Sequence, residues 1–146
     1  MKIKIESIEV KTSAQVDFID VTDQVKKIVL DNNFKDGLVT VFSPHTTASI
    51  TINHNEPMLI KDMTRALYRV APVDERYDHD LFELSRNHQS DGRSNGSSHC
   101  KEIFLGSSVS VPVSNGKLKL GAKQSIFFVE FDGGRSRDFL VQIIGE

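Results

Sequence analysis

Residues 125–144 read SIFFVEFDGGRSRDFLVQII, two apolar segments separated by glycines and charges. The first segment holds the longest apolar run in the chain, Ile126 to Val129, and the second is rich in β-branched and aromatic residues. Short apolar runs bounded by turn residues predict β-strands. We therefore expect strands at 125–131 and 139–144, joined by residues 132–137. A membrane-spanning helix needs about 20 apolar residues, so none is expected.

Other parts of the chain also have strand patterns. The alternation of Ile3, Ile5, Ile8 and Val10 predicts a first strand whose apolar positions shift near Ser7. Asn115-Gly116 predicts a tight hairpin, because both residues tolerate positive φ. Further strands are expected at 16–21, 38–42, 49–53 and 108–113.

Three segments predict helices. Asp20 or Thr22 can cap a first helix containing Val25, Ile28 and Val29. Asn55, followed by Pro57, predicts the start of a second helix whose apolar stripe runs to Val70. Ser97 or Ser98 can cap a short third helix that reaches Leu105 and ends at Gly106.

The polar stretch 73–96 is expected to be a functional or mobile loop. Together, these elements predict one α+β domain over residues 1–146. Its antiparallel or mixed β-sheet would carry two main helices on one face.

Composition restricts the function classes. The chain has 146 residues, 38% of them hydrophobic, and a net charge of -2. These values fit one folded domain and do not require a nucleic-acid partner. Cys100 is the single cysteine, which excludes an internal disulfide. No apolar block follows the first basic residues, so we expect a soluble cytoplasmic protein with neither nucleic acid nor membrane as partner.

The five histidines all lie between positions 45 and 99. Imidazole is the commonest metal ligand, and three converging rings form an open zinc-type site. However, their spacing matches none of the compact ligand pairs of known metalloenzymes. The alternative is that the histidines are solvated loop residues without a metal. The five are His45, His54, His79, His88 and His99.

Three polar segments allow both a functional and a structural interpretation. Ser43-Pro44-His45-Thr46-Thr47 can bind a phosphate oxygen or form a turn. Residues 53–56, Asn-His-Asn-Glu, can bind an anion or simply cap a helix. Residues 133–137, Gly-Gly-Arg-Ser-Arg, can hold phosphate or form a hairpin turn. Cys100 is expected to pack inward, and the Asp62/Arg65 pair to lie on the surface.

Five motifs occur in a recognisable order: HTTASITIN at 45–53, YDHD at 77–80, SHCK at 98–101 with Leu105-Gly106, GAKQ at 121–124 and GRSR at 134–137. The set resembles the YjbQ-type family of secondary thiamine-phosphate synthase enzymes, from about residue 38 to the C-terminus. The resemblance implies a small α+β domain that assembles as a homotrimer. The implied reaction joins a pyrimidine pyrophosphate to a thiazole phosphate and releases pyrophosphate.

The resemblance also implies roles for individual residues around a small phosphorylated metabolite. The ligands of a divalent metal ion, zinc or magnesium, would be His45, His79 and His99. The substrate-binding residues would be Asn53, Asn55, Gln124, Arg135 and Arg137. For that reaction our own hypothesis is that Glu56 or Asp80 relays a proton.

The sequence departs from the family pattern in three places. His54 stands where the family has Glu, and Lys123 stands where it has Trp. The stretch between His79 and His99 is longer than usual and contains His88. Two further functions therefore remain open: a metal-dependent hydrolase of a phosphorylated metabolite, and a non-catalytic module that binds one.

Overall fold

The computed structural model describes residues 1–85 and 93–146, with the exception of the side chains of residues 82–85. The strands are β1 (Lys2–Lys11), β2 (Asp17–Asp20), β3 (Gly37–Phe42), β4 (Ala48–Asn53), β5 (Ser108–Ser114), β6 (Lys117–Leu118), β7 (Ser125–Glu130) and β8 (Ser136–Gly145). The helices are α1 (Thr22–Asp31), α2 (Pro57–Val70), α3 (Asp78–Ser85) and α4 (Gly96–Leu105). His88 and the middle of the predicted 73–96 loop lie outside the described residues.

The strands form two antiparallel sheets. The larger has the order β1-β8-β3-β5-β6, and the smaller has the order β2-β7-β4. The α+β class is confirmed, and every described strand pairing is antiparallel. The prediction of a single sheet was wrong, because the apolar pattern marks each strand but not the sheet to which it belongs.

The main core lies between the two sheets and is closed by α1. Its members are fully or almost fully buried. They are Val39, Val41, Val111, Val113, Phe139, Val141 and Ile143 from the large sheet, Ala48, Ile50, Ile126 and Phe128 from the small one, Val25, Ile28 and Val29 from α1, and Val21 and Phe34 from the segments beside α1. A second cluster joins Phe127, Val129 and Phe131 to Leu67 of α2, with Ile60 and Leu105 packed against it.

Strand β7 is therefore buried on both faces, which explains its uninterrupted apolar run. By contrast, β1 has its apolar residues on two different faces. Ile3 and Ile5 are more than half exposed, whereas Ile8 and Val10 pack against the main core. The pairing of β1 with β8 is continuous from Lys2 to Lys11, so the shift near Ser7 is a change of face and not a bulge.

Helix starts differ from the predictions at the capping residue. Glu56, not Asn55, caps α2, and its carboxylate accepts hydrogen bonds from the amides of Met58 and Leu59. Asn95 occupies the cap position of α4 without a side-chain capping bond, so neither Ser97 nor Ser98 caps that helix.

The predicted 73–96 loop contains α3. The Asn115-Gly116 hairpin is confirmed, with φ of 54° and 74°. No helix within 1–85 and 93–146 is long and apolar enough to cross a membrane.

The turn between β7 and β8 is built on a buried ion pair. Arg137 donates from Nε and Nη2 to the two carboxylate oxygens of Glu130, at 2.8 and 2.7 Å. Glu130 is fully buried, and its carboxylate also accepts from the hydroxyl of Thr12 and from the amides of Phe131 and Asp132. This one side chain therefore sets the path of the chain as it leaves β7.

Burial acts to raise the pKa of Glu130. The hydrogen bond and charge of Arg137, with hydrogen bonds from Thr12 and the Asp132 amide, outweigh burial and hold this pKa below its ordinary value of 4.5. A carboxyl group whose pKa is lowered by folding stabilises the protein above its unfolded-state pKa. That contribution is lost as the pH falls through the folded-state pKa.

Arg137→Met is expected to lower the free energy of unfolding by about 3–5 kcal/mol at pH 7, because it leaves a buried, unpaired carboxylate. Without Arg137, burial raises the pKa of Glu130, so the deficit shrinks from pH 7 to pH 5. Urea unfolding at both pH values measures this change. Arg65→Met, which breaks the exposed pair with Asp62, is the matched control and costs below about 1 kcal/mol. Equal losses in the two variants would contradict the prediction.

Candidate functional site

Two of the predicted metal ligands lie side by side. His79 is in the first turn of α3 and His99 is near the start of α4. Their ring centroids are 4.8 Å apart, with the ring planes at 82°. Both line an open cavity of about 470 Å³, whose other walls are Tyr77, Asp78, Gly96 and Cys100. Residues twenty positions apart in the sequence therefore share one wall of a cavity.

The close approach of α3 and α4 depends on Gly96. A Cβ atom at this position would lie 2.5 Å from Cβ of Tyr77, too close for any side chain. Asp80 holds the same junction, because its Oδ1 accepts from the Gly96 amide at 2.9 Å. Through this hydrogen bond, Asp80 links the two helices that carry the histidines.

A hydrogen-bond network behind His79 leads to Asp132. Asn95 lies between them, with Oδ1 3.0 Å from Nε2 of His79 and Nδ2 donating to Oδ2 of Asp132 at 3.1 Å. Arg93 donates to the backbone oxygen of Asp132 at 2.9 Å, and Arg135 approaches its carboxylate at 3.5 Å. Asp132 is 7% exposed and so forms a nearly buried anchor for the cavity wall.

The backbone of Phe131 connects this region with the loop that carries His45. Its amide donates to the carbonyl of Thr47 at 3.1 Å, and its carbonyl accepts from the hydroxyl of Ser98 at 2.7 Å. The residues preceding β4 and the first turn of α4 are therefore hydrogen-bonded to the backbone of the same residue. This places His45 at the same end of the small sheet as the histidine pair.

His45 itself is bound to Asp138 of β8. Its Nε2 lies 2.9 Å from both the backbone oxygen and Oδ1 of Asp138. Its ring packs edge-on against Phe128. Within residues 1–85 and 93–146, no three histidine, cysteine, aspartate or glutamate side chains are placed to hold one metal ion. The described part of one chain thus assembles two imidazoles and leaves the third apart.

The predicted substrate residues fall into two groups. The adjoining ends of β4 and β7, where Asn53 pairs with Ser125, carry Asn53, Asn55, Glu56 and Gln124. The opposite end, where Ala48 pairs with Glu130, carries Arg135, Arg137 and the histidines. Five residue steps along β4 separate the two ends by about 17 Å. Within one chain, the predicted residues therefore do not form a single site.

The residues at the far end have structural partners. Asn55 donates to Asp20 at 2.9 Å. Burial acts to raise the pKa of Asp20, but hydrogen bonds from Thr22, Asn55 and Ser125 hold it below its ordinary value. The amides of Met58 and Leu59 likewise lower the pKa of Glu56. Gln124 accepts from the amide of Gly121 within its own turn. Of the two proposed proton relays, only Asp80 adjoins the histidine pair.

Arg137 is committed to Glu130 and to Thr47, to which its Nη2 donates at 2.6 Å. Its side chain is 5% exposed, which gives it a structural role, whereas that of Arg135 is 34% exposed. Sequence reasoning missed Asn95, Asp132 and Asp138. Asn95 lies two residues before the first predicted cap of the third helix and Asp132 precedes a glycine pair, but hydrogen bonds to distant residues leave no periodic signal.

Comparison with solved structures places this fold in a known class of small α+β proteins. A YbjQ-like protein of unknown function from Sulfolobus solfataricus superposes with a TM-score of 0.89 and 34% identity, over 99% of both chains. A YjbQ/UPF0047 protein from Clostridium acetobutylicum gives a TM-score of 0.82 and 40% identity, over 95% of this chain and 99% of the other.

Sequence comparison agrees with the structural comparison. A UPF0047 protein of Methanothermobacter thermautotrophicus is 36% identical over 100% of this chain and 95% of its own length. YugU of Bacillus subtilis is 35% identical over 97% of this chain and 99% of its own. The family model described as UPF0047 protein YjbQ-like matches residues 6–146. The chain belongs to this family, which confirms the resemblance carried by the motifs.

Gly96→Ala is expected to force α3 and α4 apart, because the new methyl group meets Cβ of Tyr77. We expect a loss of about 1–3 kcal/mol in the free energy of unfolding, typical of an overpacked contact. The nuclear Overhauser contacts between the rings of His79 and His99 should weaken. Gly121→Ala is the control, since its Cβ would meet only the flexible Gln124 side chain at 3.3 Å. Unchanged ring contacts in Gly96→Ala would contradict this account of the junction.

Proposed function

We propose that this protein is a metal-dependent enzyme that acts on a phosphorylated small molecule, in the manner of a secondary thiamine-phosphate synthase. The observation that carries the proposal is the His79/His99 pair in an open cavity, backed by a network that includes two arginines. A cytoplasmic location is part of the proposal and accords with the single cysteine.

The side chains that line the cavity supply some, but not all, of the ligands that a divalent ion needs. His79 and His99 offer imidazole nitrogens, the ligands that zinc favours, and catalytic zinc takes three protein ligands and one water. The described residues of one chain supply two of these. We propose that a second copy of this chain supplies the third, with His45 as the candidate. A bound divalent ion would neutralise charge on the departing pyrophosphate.

Arg135 is the candidate phosphate ligand of this chain. Its side chain is one-third exposed, and its contact with Asp132 at 3.5 Å uses a single guanidinium nitrogen. A guanidinium presents five donors in a fork that matches phosphate geometry. Preorganised cations that meet developing negative charge are a large contribution to catalysis. Arg135 can therefore hold a phosphate while Asp132 fixes its position.

The distribution of residues supports association of this chain with further copies, and we propose that the assembly is the homotrimer. The outer face of the large sheet has neighbouring apolar side chains on three strands, Ile3, Ile144 and Leu38, which are 60%, 38% and 43% exposed. Asp138, the partner of His45, lies on the same face, because it is six residues from Ile144 along β8. We propose that further copies cover this face and join the two separated groups of site residues.

The two alternative functions use the same cavity. In the hydrolase, a metal-bound water would attack the phosphorylated metabolite, whereas in the binding module the ligand would be held without turnover. Only the synthase couples two organic substrates. Incubation with a pyrimidine pyrophosphate and a thiazole phosphate, followed by mass spectrometry, separates coupling, hydrolysis and binding alone.

His79→Ala and His99→Ala are each expected to abolish zinc binding while leaving the fold intact, because both side chains line an open cavity and neither belongs to the core. The wild-type protein should bind about one zinc ion per chain. Isothermal titration with zinc and circular dichroism measure the two effects. His54→Ala, which replaces a histidine that the proposal does not place among the metal ligands, is the matched control and should bind zinc normally. Retention of full zinc binding in both cavity variants would show that the assigned site is wrong.

Leu38→Asp is expected to dissociate the trimer without unfolding the chain, since the residue lies on the outer sheet face. Light scattering at micromolar concentration should give about three times 16.4 kDa for the wild type and 16.4 kDa for the variant. Leu30→Asp, at an exposed position on α1, is the control and should stay trimeric. A wild-type protein that runs as a monomer would refute both the trimer and the shared metal site.

A further inference from the structure

We infer that Asn95 is a positioning residue that, oriented by Asp132, fixes His79 in the tautomer with hydrogen on Nε2 and the lone pair on Nδ1. The inference concerns the metal-free protein. Its consequence for catalysis rests on the proposed function, because it names Nδ1 as the nitrogen of His79 that takes the metal ion.

The first step concerns the orientation of the Asn95 amide. A carboxylate accepts hydrogen bonds and donates none, whereas a side-chain amide has one donor end and one acceptor end. Oδ2 of Asp132 lies 3.1 Å from Nδ2 of Asn95. Rotating the amide by half a turn would set two oxygens against each other. The carboxylate of Asp132, which Arg93 approaches at 3.4 Å and Arg135 at 3.5 Å, therefore decides which end of Asn95 faces His79.

The second step concerns the proton of His79. The end of Asn95 that remains is its Oδ1, which lies 3.0 Å from Nε2 of His79. Since Oδ1 is an acceptor, Nε2 must be the donor and carry the hydrogen. A neutral imidazole has one protonated nitrogen, so Nδ1 keeps the lone pair.

The third step concerns the consequence for the cavity. A metal-binding histidine commonly donates its other ring N–H to a neighbouring acceptor, which fixes the orientation and tautomer of the ring. Asn95 supplies this acceptor, and Asp132 supports Asn95 from behind. The ring of His79 is therefore oriented beside His99 before any ligand enters.

Nitrogen-15 NMR of histidine-labelled, metal-free protein above the titration range of histidine tests the inference. We expect His79 in one tautomer, with hydrogen on Nε2. Asn95→Leu removes the acceptor at similar volume, so both tautomers should appear. Asp132→Asn retains Asn95 but allows its amide to turn, and should also give both tautomers. Asn32→Leu removes side-chain hydrogen bonds to Glu6 and to the carbonyl of Ile28 at the end of α1, and should leave the His79 signals unchanged.

A wild-type His79 with hydrogen on Nδ1, or an unchanged His79 spectrum in both Asn95→Leu and Asp132→Asn, would overturn the inference. Zinc titration keeps it separate from the proposed function. Asn95→Leu should weaken zinc binding by about 10- to 100-fold. If the wild type has the expected tautomer and binds no zinc, the proposed function fails while the role of Asn95 stands.

Discussion

The buried carboxylate of Glu130 is the constraint on which the architecture of the candidate site depends. It lies at the end of β7 and collects hydrogen bonds from Arg137, Thr12 and two successive backbone amides. A fully buried charge is tolerated only when its oxygens are satisfied, so these partners must arrive together. These contacts fix Phe131 and Asp132, two residues to which the histidine-bearing segments are hydrogen-bonded.

The two residues that follow Glu130 make the next contacts. The amide of Phe131 donates a hydrogen bond to the loop before β4, and its carbonyl accepts one from α4. Asp132 receives Arg93, Asn95 and Arg135. The side chains that face the cavity are thus supported by a rigid polar interior, which is how precise sites are usually built. Arg137, expected to hold a phosphate, serves this interior instead, because a charged partner inside the protein is what Glu130 requires.

Sequence patterns predicted the elements well where burial is periodic. The positions of β7 and β8, the stripe of α2 and the Asn115-Gly116 hairpin all follow from local rules of spacing and turn chemistry. The division into two sheets could not be predicted, since strand pairing is decided by tertiary packing. Helix α3 was missed because its segment is dominated by polar residues, which give no apolar stripe.

For the site, the order of the motifs in the sequence indicated the histidines, and the structure brings His79 and His99 together. The motifs could not show that Asn53, Asn55 and Gln124 lie a strand length away from them, because a sequence motif gives no information about distances in the fold. Asn95 and Asp132 were missed since their importance lies in hydrogen bonds to residues 16 and 37 positions away. Family membership is secure on sequence and fold, and the chemistry rests on the proposals made above.

The pairing of β1 with β8 joins segments far apart in the sequence, with Lys2 opposite Gly145. Because β8 also lies between β1 and β3, the large sheet cannot close until β8 is available to pair with both strands. Contacts between such distant segments slow folding, since a long loop must be ordered before they form. Until β8 pairs, β1 has no neighbour in the described sheet and β3 is paired only with β5, so the ten-residue β8 is the strand that unites the sheet.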